Sequence, residues 1–356
     1  MPGPYELTRD QLAAIIPDFP PYRARQIWDG LYRRVVPVAD MTDLPLPLRQ
    51  RLAGDPRLHP ALTPAARSVS DRGETVKWGW RLHDGALIET VLMQYPDRAT
   101  VCVSTQAGCA MNCSFCATGQ AGFTRHLSAG EIVEQIAAAI AEARPRRVGN
   151  VVFMGMGEPL ANYDAMWAAI ERLHDEFGFS ARHLTVSTVG LVPGIRRLAK
   201  EALPVNLAVS LHAANDALRN RLVPINKRWP LAALVAACHE YRAMKGRRLS
   251  FEWALIDGVN DRPSDADELA ALARPLGAHV NLIPLNPTPG YLTRGSPPPQ
   301  VRAFRALLAG EGVNVTVRRN RGSDIDAACG QLAGQATGQV AGSVVLQPQS
   351  RARVPN

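Results

Sequence analysis

The sequence predicts an α/β protein: a parallel sheet with helices packed outside it, preceded by a small basic helical segment. Three observations predict it. From Val101 onward, short β-branched runs alternate with helical patterns six or more times. The composition, 46% hydrophobic and 20% charged, is that of a chain with a packed core. The first 75 residues instead carry arginines, aromatics and prolines without that alternation. A barrel, complete or incomplete, and an open doubly wound sheet both fit this order of elements.

Residues 1–75 read as a helical module with basic character. Pro21 to Tyr32 interleaves Tyr22, Trp28 and Tyr32 with Arg23 and Arg25, and Arg33, Arg34, Arg49 and Arg51 follow, broken by Leu44-Pro45-Leu46-Pro47. Such a module can track phosphates and stack on bases, or its aromatics can form the core of a small bundle. Residues 76–100 read as a linking hairpin, with strands near Thr75 to Arg81 and Ala86 to Met93 turning at Asp84-Gly85. The core spans residues 101–340. Its strand candidates are Val101 to Thr105, Asn150 to Met154, Leu184 to Thr188, Asn206 to Leu211, Leu249 to Leu255, His279 to Ile283 and Val313 to Val317. Helices fall between them. The first has a capping box, Ser128 with Glu131, ahead of Ile132, Ile136 and Ile140. The polar, proline-containing stretch 341–356 is expected to be a disordered tail.

Charge and cysteine usage narrow the function. The chain carries 40 Lys and Arg against 32 acids, a net charge of +8, which favours a polyanionic partner such as nucleic acid. No run of about 18 apolar residues occurs, and Met1 to Arg9 has no signal-peptide core, so a cytoplasmic protein with no membrane partner is expected. Of six cysteines, Cys102, Cys109, Cys113 and Cys116 lie within fifteen residues. In a chain without an export signal such a cluster points to metal or catalytic work rather than disulfides.

Cys109, Cys113 and Cys116 form a C-x3-C-x2-C triplet just after the first parallel strand. Thiolates suit iron–sulfur clusters or zinc. A structural zinc site wants four closed ligands, and here only three are local, with Cys102 or a distant histidine left to complete it. A cubane held by three cysteines keeps one iron open to a substrate.

With an aromatic, Phe115, before the third cysteine, the triplet resembles the signature of the radical S-adenosylmethionine superfamily. The resemblance implies a partial (β/α)6 barrel of the TIM type, one [4Fe-4S] cluster on Cys109, Cys113 and Cys116, and S-adenosylmethionine chelated at the open iron. Met154-Gly155-Met156-Gly157-Glu158-Pro159 resembles the segment that binds the methionine amino group, assigning Gly157 and Glu158. Ser187, Ser210-Leu211-His212 and Asn286 match cofactor-contacting positions, all at carboxyl ends of strands.

From about Tyr22 to Gly334 the chain resembles the dual-specificity 23S rRNA/tRNA adenine-C2 methyltransferases, on Leu87-Ile88-Glu89-Thr90, Cys102, the triplet and Arg321 to Leu332 with Cys329. Carbon 2 of adenine is not acidic and does not attack a sulfonium methyl. The resemblance implies instead that Cys329 first takes a methyl group from one S-adenosylmethionine. A second one, cleaved at the cluster, supplies a radical that abstracts hydrogen from that S-methyl. The methylene adds to the base, and Cys102 resolves the adduct by attacking the Cys329 sulfur. Two S-adenosylmethionines are used per turnover, and the disulfide left behind needs an external reductant, as the cluster needs an electron donor. Glu89 corresponds to the family's proton acceptor, although Cys102 could take the same proton. The expected partners are 23S rRNA and tRNA, the expected state a monomer. The sister family that methylates carbon 8 shares these catalytic residues, and the N-terminal segment favours carbon 2 over it. A zinc-stabilised RNA-binding protein is the reading from another class. Cys238, within the helical run Leu231 to Lys245, is expected to be core filler.

Overall fold

The computed structural model of the chain describes residues 3–288, 294–318 and 321–332. The tail read as disordered, 341–356, lies outside the described residues, as does Gly334. Among the described residues no helix is long and apolar enough to cross a membrane.

Twelve strands are described. β1 (Thr63–Ser70), β2 (Thr75–Arg81) and β3 (Leu87–Gln94) run antiparallel and lead into β4 (Ala99–Cys102). β5 (Gln106–Gly108) and β6 (Phe123–His126) form a separate two-stranded sheet around the cysteine triplet. β7 (Val148–Phe153), β8 (Leu184–Thr188), β9 (Asn206–Ser210), β10 (Leu249–Leu255), β11 (His279–Pro284) and β12 (Val315–Val317) then follow β4 in consecutive parallel pairing. The ten-stranded sheet therefore runs from β1 to β12 in chain order, with its seven parallel strands making an open, partial barrel.

Two helices show how the sequence sets their ends. Ala129–Ala143 starts at Ser128, whose hydroxyl accepts from the Glu131 N–H while Glu131 accepts from the Ser128 N–H, the expected capping box. Leu231–Lys245 ends at Gly246 in the left-handed conformation (φ 57°). The apolar faces of these helices and the outward face of the parallel strands share one core, which includes Phe153, Tyr241, Trp253 and Phe304, while the inward face lines a cavity. Cys238 is fully buried in it, as expected.

Two expectations for the N-terminal module change. Thr63–Ser70, placed in the helical segment by sequence, is a strand paired along its length with β2. Its small and polar residues give no clean alternation, and its partner strand supplies the order. Trp28 and Tyr32 do not offer faces to nucleic acid: both are buried, stacked with centroids 4.4 Å apart. The bundle-core alternative holds for them, whereas Tyr22 remains exposed beneath Arg23.

Glu134 fastens this module to the core. It is buried on the helix Ala129–Ala143, and its carboxylate accepts the N–H groups of Ala61 and Leu62, each at 3.1 Å. Burial pushes its carboxyl up to about 7 from an ordinary 4.5. The fold thus keeps a proton that the unfolded chain gives up, so this contribution favours folding at low pH and is lost as pH rises from about 4.5 to about 7. Glu134→Gln is expected to reduce the fall in melting temperature between about pH 5 and about pH 8.

Candidate active site

The cysteine triplet sits on a loop built by tight backbone geometry. Gly108 has φ 76°, and a Cβ there would lie 2.0 Å from the Gly122 carbonyl oxygen, so only glycine lets β5 and β6 close. The Cys109 N–H then donates to that carbonyl at 2.7 Å. Asn112 adopts the left-handed region (φ 51°), and the Cys116 N–H donates to the Cys113 carbonyl at 3.2 Å. All three thiols line one cavity of about 830 Å³. Burial pushes the Cys109 thiol up to about 12, and burial with the neighbouring Cys116 and Cys109 raises Cys113 well above its ordinary value. Metal loading must therefore displace protons from these groups.

The three thiols face the same cavity. Among the described residues no three His, Cys, Asp or Glu side chains are placed to hold a single metal ion. A structural zinc site wants four closed ligands, whereas a cubane held by three thiolates leaves one iron open. The donor set, three soft thiols facing an open cavity, fits the cluster.

The opposite wall brings backbone close. A Cβ on Gly155 would stand 2.6 Å from the Val103 carbonyl oxygen, and one on Gly157 (φ 97°) 2.5 Å from the Gln106 side chain. Gln106 in turn accepts the Glu158 N–H at 2.8 Å, fixing this loop against β5. Glu158 is buried, and its two carboxylate oxygens accept the N–H groups of Leu160 (3.0 Å) and Val189 (2.9 Å). Burial pushes its carboxyl up to about 7, opposed by those backbone bonds. With the Thr188 hydroxyl also bonded to the carboxylate, one of its four acceptor positions is left for an ammonium partner.

Ser187, Ser210, His212 and Asn286 also line the cavity, at the carboxyl ends of β8, β9 and β11. His212 has φ 59° and is buried. Its Nδ1 accepts the Ala254 N–H at 3.0 Å, and burial together with Arg219 pushes its pKa down to about 3. It is a neutral imidazole with the proton on Nε2. Leu211 does not reach the cavity: its side chain is fully buried in the core, because strand alternation turns it away from Ser210 and His212. It contributes backbone only.

Cys102 ends β4, between Val91 of β3 and Val152 of β7. Cys329 lies on the segment 321–332, and both cysteines line the same cavity as the triplet. The segment carrying Cys329 is tied at several points. The Asn286 amide donates to the Cys329 carbonyl at 3.1 Å, the Ala117 N–H to Gly330 at 2.8 Å, and the Gln331 amide to Pro287 at 3.2 Å. Burial and the neighbouring Cys329 push the Cys102 thiol up to about 12. Glu89 stands behind this wall. It is buried on β3 and is not among the residues lining the cavity, and Lys77 lies 3.4 Å from its carboxylate.

Three residues that motif reading missed organise the site. Arg318, at the end of β12, lines the cavity, and Cys329 and then Glu252 and Cys102 hold its guanidinium protonated against burial. Lys77 joins Glu89 to the Cys329 segment. Arg219 is fully buried and donates to the carbonyls of Val189 (2.6 Å), Leu211 (3.0 Å) and Ser210 (3.3 Å) and to Asn226 (2.7 Å). An arginine in a helical run carries no sequence signal for such a role.

Comparison with known proteins places the chain in a family. The radical SAM superfamily matches residues 103–271. Relatives from Parafrankia sp. (strain EAN1pec) and Chloroflexus aurantiacus are both named "Probable dual-specificity RNA methyltransferase RlmN". The first is 55% identical over 93% of this chain and 91% of its own, the second 52% identical over 93% and 92%. The chain belongs to this RNA methyltransferase family. A crystal structure of a radical SAM methyltransferase from Sphaerobacter thermophilus, 51% identical, superposes with a TM-score of 0.89 over 94% of this chain and 99% of that one.

Membership of the radical SAM methyltransferases implies a [4Fe-4S] cluster, S-adenosylmethionine and an RNA substrate. Within that frame Arg219 makes a clear prediction. Arg219→Met removes the donor to the carbonyls of Val189 and Ser210 at the ends of β8 and β9, while the Leu211 carbonyl keeps the Ala213 N–H, at about 1–3 kcal/mol for each acceptor left buried without a partner. Thermal melts are expected to show a large stability loss and a smaller rise in melting temperature on adding S-adenosylmethionine.

Proposed function

We propose that this enzyme forms 2-methyladenosine in 23S rRNA and in tRNA beside the anticodon, using two S-adenosylmethionines per turnover. The observation that carries the reading is that Cys102 and Cys329 line the same cavity as Cys109, Cys113 and Cys116, with the Arg318 cation beside both. A methyltransferase that passes methyl directly from sulfonium to substrate has no use for a second pair of thiols.

Cys109, Cys113 and Cys116 would hold the cluster. Gly157, Glu158, Ser187, Ser210, His212 and Asn286, with the backbone of Leu211, would hold S-adenosylmethionine. When bound together, these groups supply a carbon radical strong enough to remove hydrogen from an unactivated methyl group. Cys329 acts first as a nucleophile on the sulfonium methyl and becomes S-methylated as S-adenosylhomocysteine leaves. With one hydrogen removed, the Cys329 methylene adds to adenine carbon 2 and tethers RNA to protein. Glu89 or Cys102 takes the ring proton, and the unpaired electron then left on the adduct would return to the cluster held by Cys109, Cys113 and Cys116, which would have supplied the electron that began the turnover. Cys102 then attacks the Cys329 sulfur, the sulfur–carbon bond breaks towards the base, and the new methyl gains a proton. The Cys102–Cys329 disulfide needs an external reductant. The residues 1–75 serve as the RNA-binding module, through its exposed arginines rather than its buried aromatics.

This route leaves an isotopic record. With S-adenosylmethionine carrying a fully deuterated methyl, mass spectrometry of product RNA is expected to find two deuterons in the new methyl and one proton gained. Retention of all three would mean direct transfer and end the reading.

A further inference from the structure

Lys77 is the one buried lysine among the described residues, and the chemistry above does not use it. On β2 it faces Val91, and Glu89 faces Gly79, so Lys77 and Glu89 are diagonal neighbours on one face of the β2–β3 pair. Their side chains are 8% and 4% exposed, with Nζ 3.4 Å from the carboxylate. The same ammonium donates to the carbonyl of Asp326 at 3.3 Å, three residues before Cys329. A lysine buried in a strand is costly unless its charge is paired and its donors are used. Here the pairing is spent on two groups that the chemistry needs near each other. Asn286, Ala117 and Gln331 tie the Cys329 segment on its far side. Lys77 ties it on the side of Glu89.

We propose that Lys77 is a positioning residue of the methyl-transfer site: one ammonium joins the Glu89 carboxylate to the backbone of the segment carrying Cys329. The inference rests on the reading of Glu89 as a proton acceptor. The ammonium holds the carboxylate and the Cys329 segment against one another, so that Cys329 keeps its place beside β3.

The test compares Lys77→Met, Lys77→Arg and Glu89→Gln in the cluster-loaded enzyme. Turnover is followed on an rRNA fragment, and hydrogen exchange of residues 322–332 is measured without RNA. Lys77→Met is expected to lower kcat about 10- to 100-fold with the KM for RNA unchanged, and to speed exchange at Ala327 and Ala328. Lys77→Arg, which keeps the charge, is expected to recover most of both. A merely structural lysine predicts lower yield and melting temperature with unchanged turnover per bound iron and unchanged exchange, and that result overturns the proposal. If Glu89→Gln is inactive while Lys77→Met matches wild type in both readouts, the proposal falls and the role of Glu89 survives. If Glu89→Gln is fully active, that role falls. The exchange rates of Lys77→Met then decide the tie alone, faster exchange supporting it and unchanged exchange overturning it.

Discussion

Cys329→Ala is expected to abolish methylation, by about a thousandfold or more, while leaving iron content and S-adenosylmethionine binding at wild-type levels. Cys329 lies on a segment whose backbone is held through its own carbonyl and through Gly330 and Gln331, so removing one sulfur leaves the loop and the cluster wall standing. Cys102→Ala is expected to stop the reaction later. Methyl reaches Cys329 and carbon reaches the base, but nothing attacks the sulfur, so RNA accumulates in covalent linkage to protein. The linkage is a thioether, and thiol reductants do not release it. Gel mobility with and without reductant checks this. A Cys102→Ala protein that turns over normally would remove the second cysteine from the mechanism.

The second large effect concerns the triplet. Cys113→Ala is expected to lose the cluster, with iron falling from about four atoms per chain and activity falling with it. The fold should survive, because Cys113 packs in a small separate apolar group with Phe115, Leu222, Val223 and Ile256, apart from the main core. Circular dichroism checks the fold, and iron analysis the site. Since burial holds the thiols of Cys109 and Cys113 protonated, reconstitution of the wild-type protein is expected to quicken as pH rises above neutral. A chain that binds one zinc in place of iron and stays unchanged by Cys113→Ala would contradict the assignment.

Much of this architecture is legible in the sequence because its signals are local. Leu184–Thr188 and Leu249–Leu255 are β-branched or apolar runs between clear helix patterns, and they appear as strands at their expected bounds. The Ser128 capping box marks its helix start to within a residue. Cys109, Cys113 and Cys116 announce themselves through spacing. What stays hidden depends on partners distant in sequence. Thr63–Ser70 is a strand because β2 pairs with it, not because of its own pattern. Trp28 and Tyr32 look like a nucleic-acid face until their burial against each other is seen. Arg219, Arg318 and Lys77 look like ordinary basic residues, since their roles come from carbonyls, thiols and a carboxylate delivered by other strands. Leu211 was assigned with its neighbours, and alternation along the chain turns its side chain into the core.

The central claim is that a cavity combining a three-thiol cluster site with Cys102 and Cys329 serves adenine carbon 2. Nucleosides from the rRNA and tRNA of a deletion strain, analysed by mass spectrometry before and after complementation, test it most directly. The account predicts that 2-methyladenosine disappears, returns with the wild-type gene and does not return with Cys329→Ala. Unchanged 2-methyladenosine, or loss of 8-methyladenosine in its place, would contradict it.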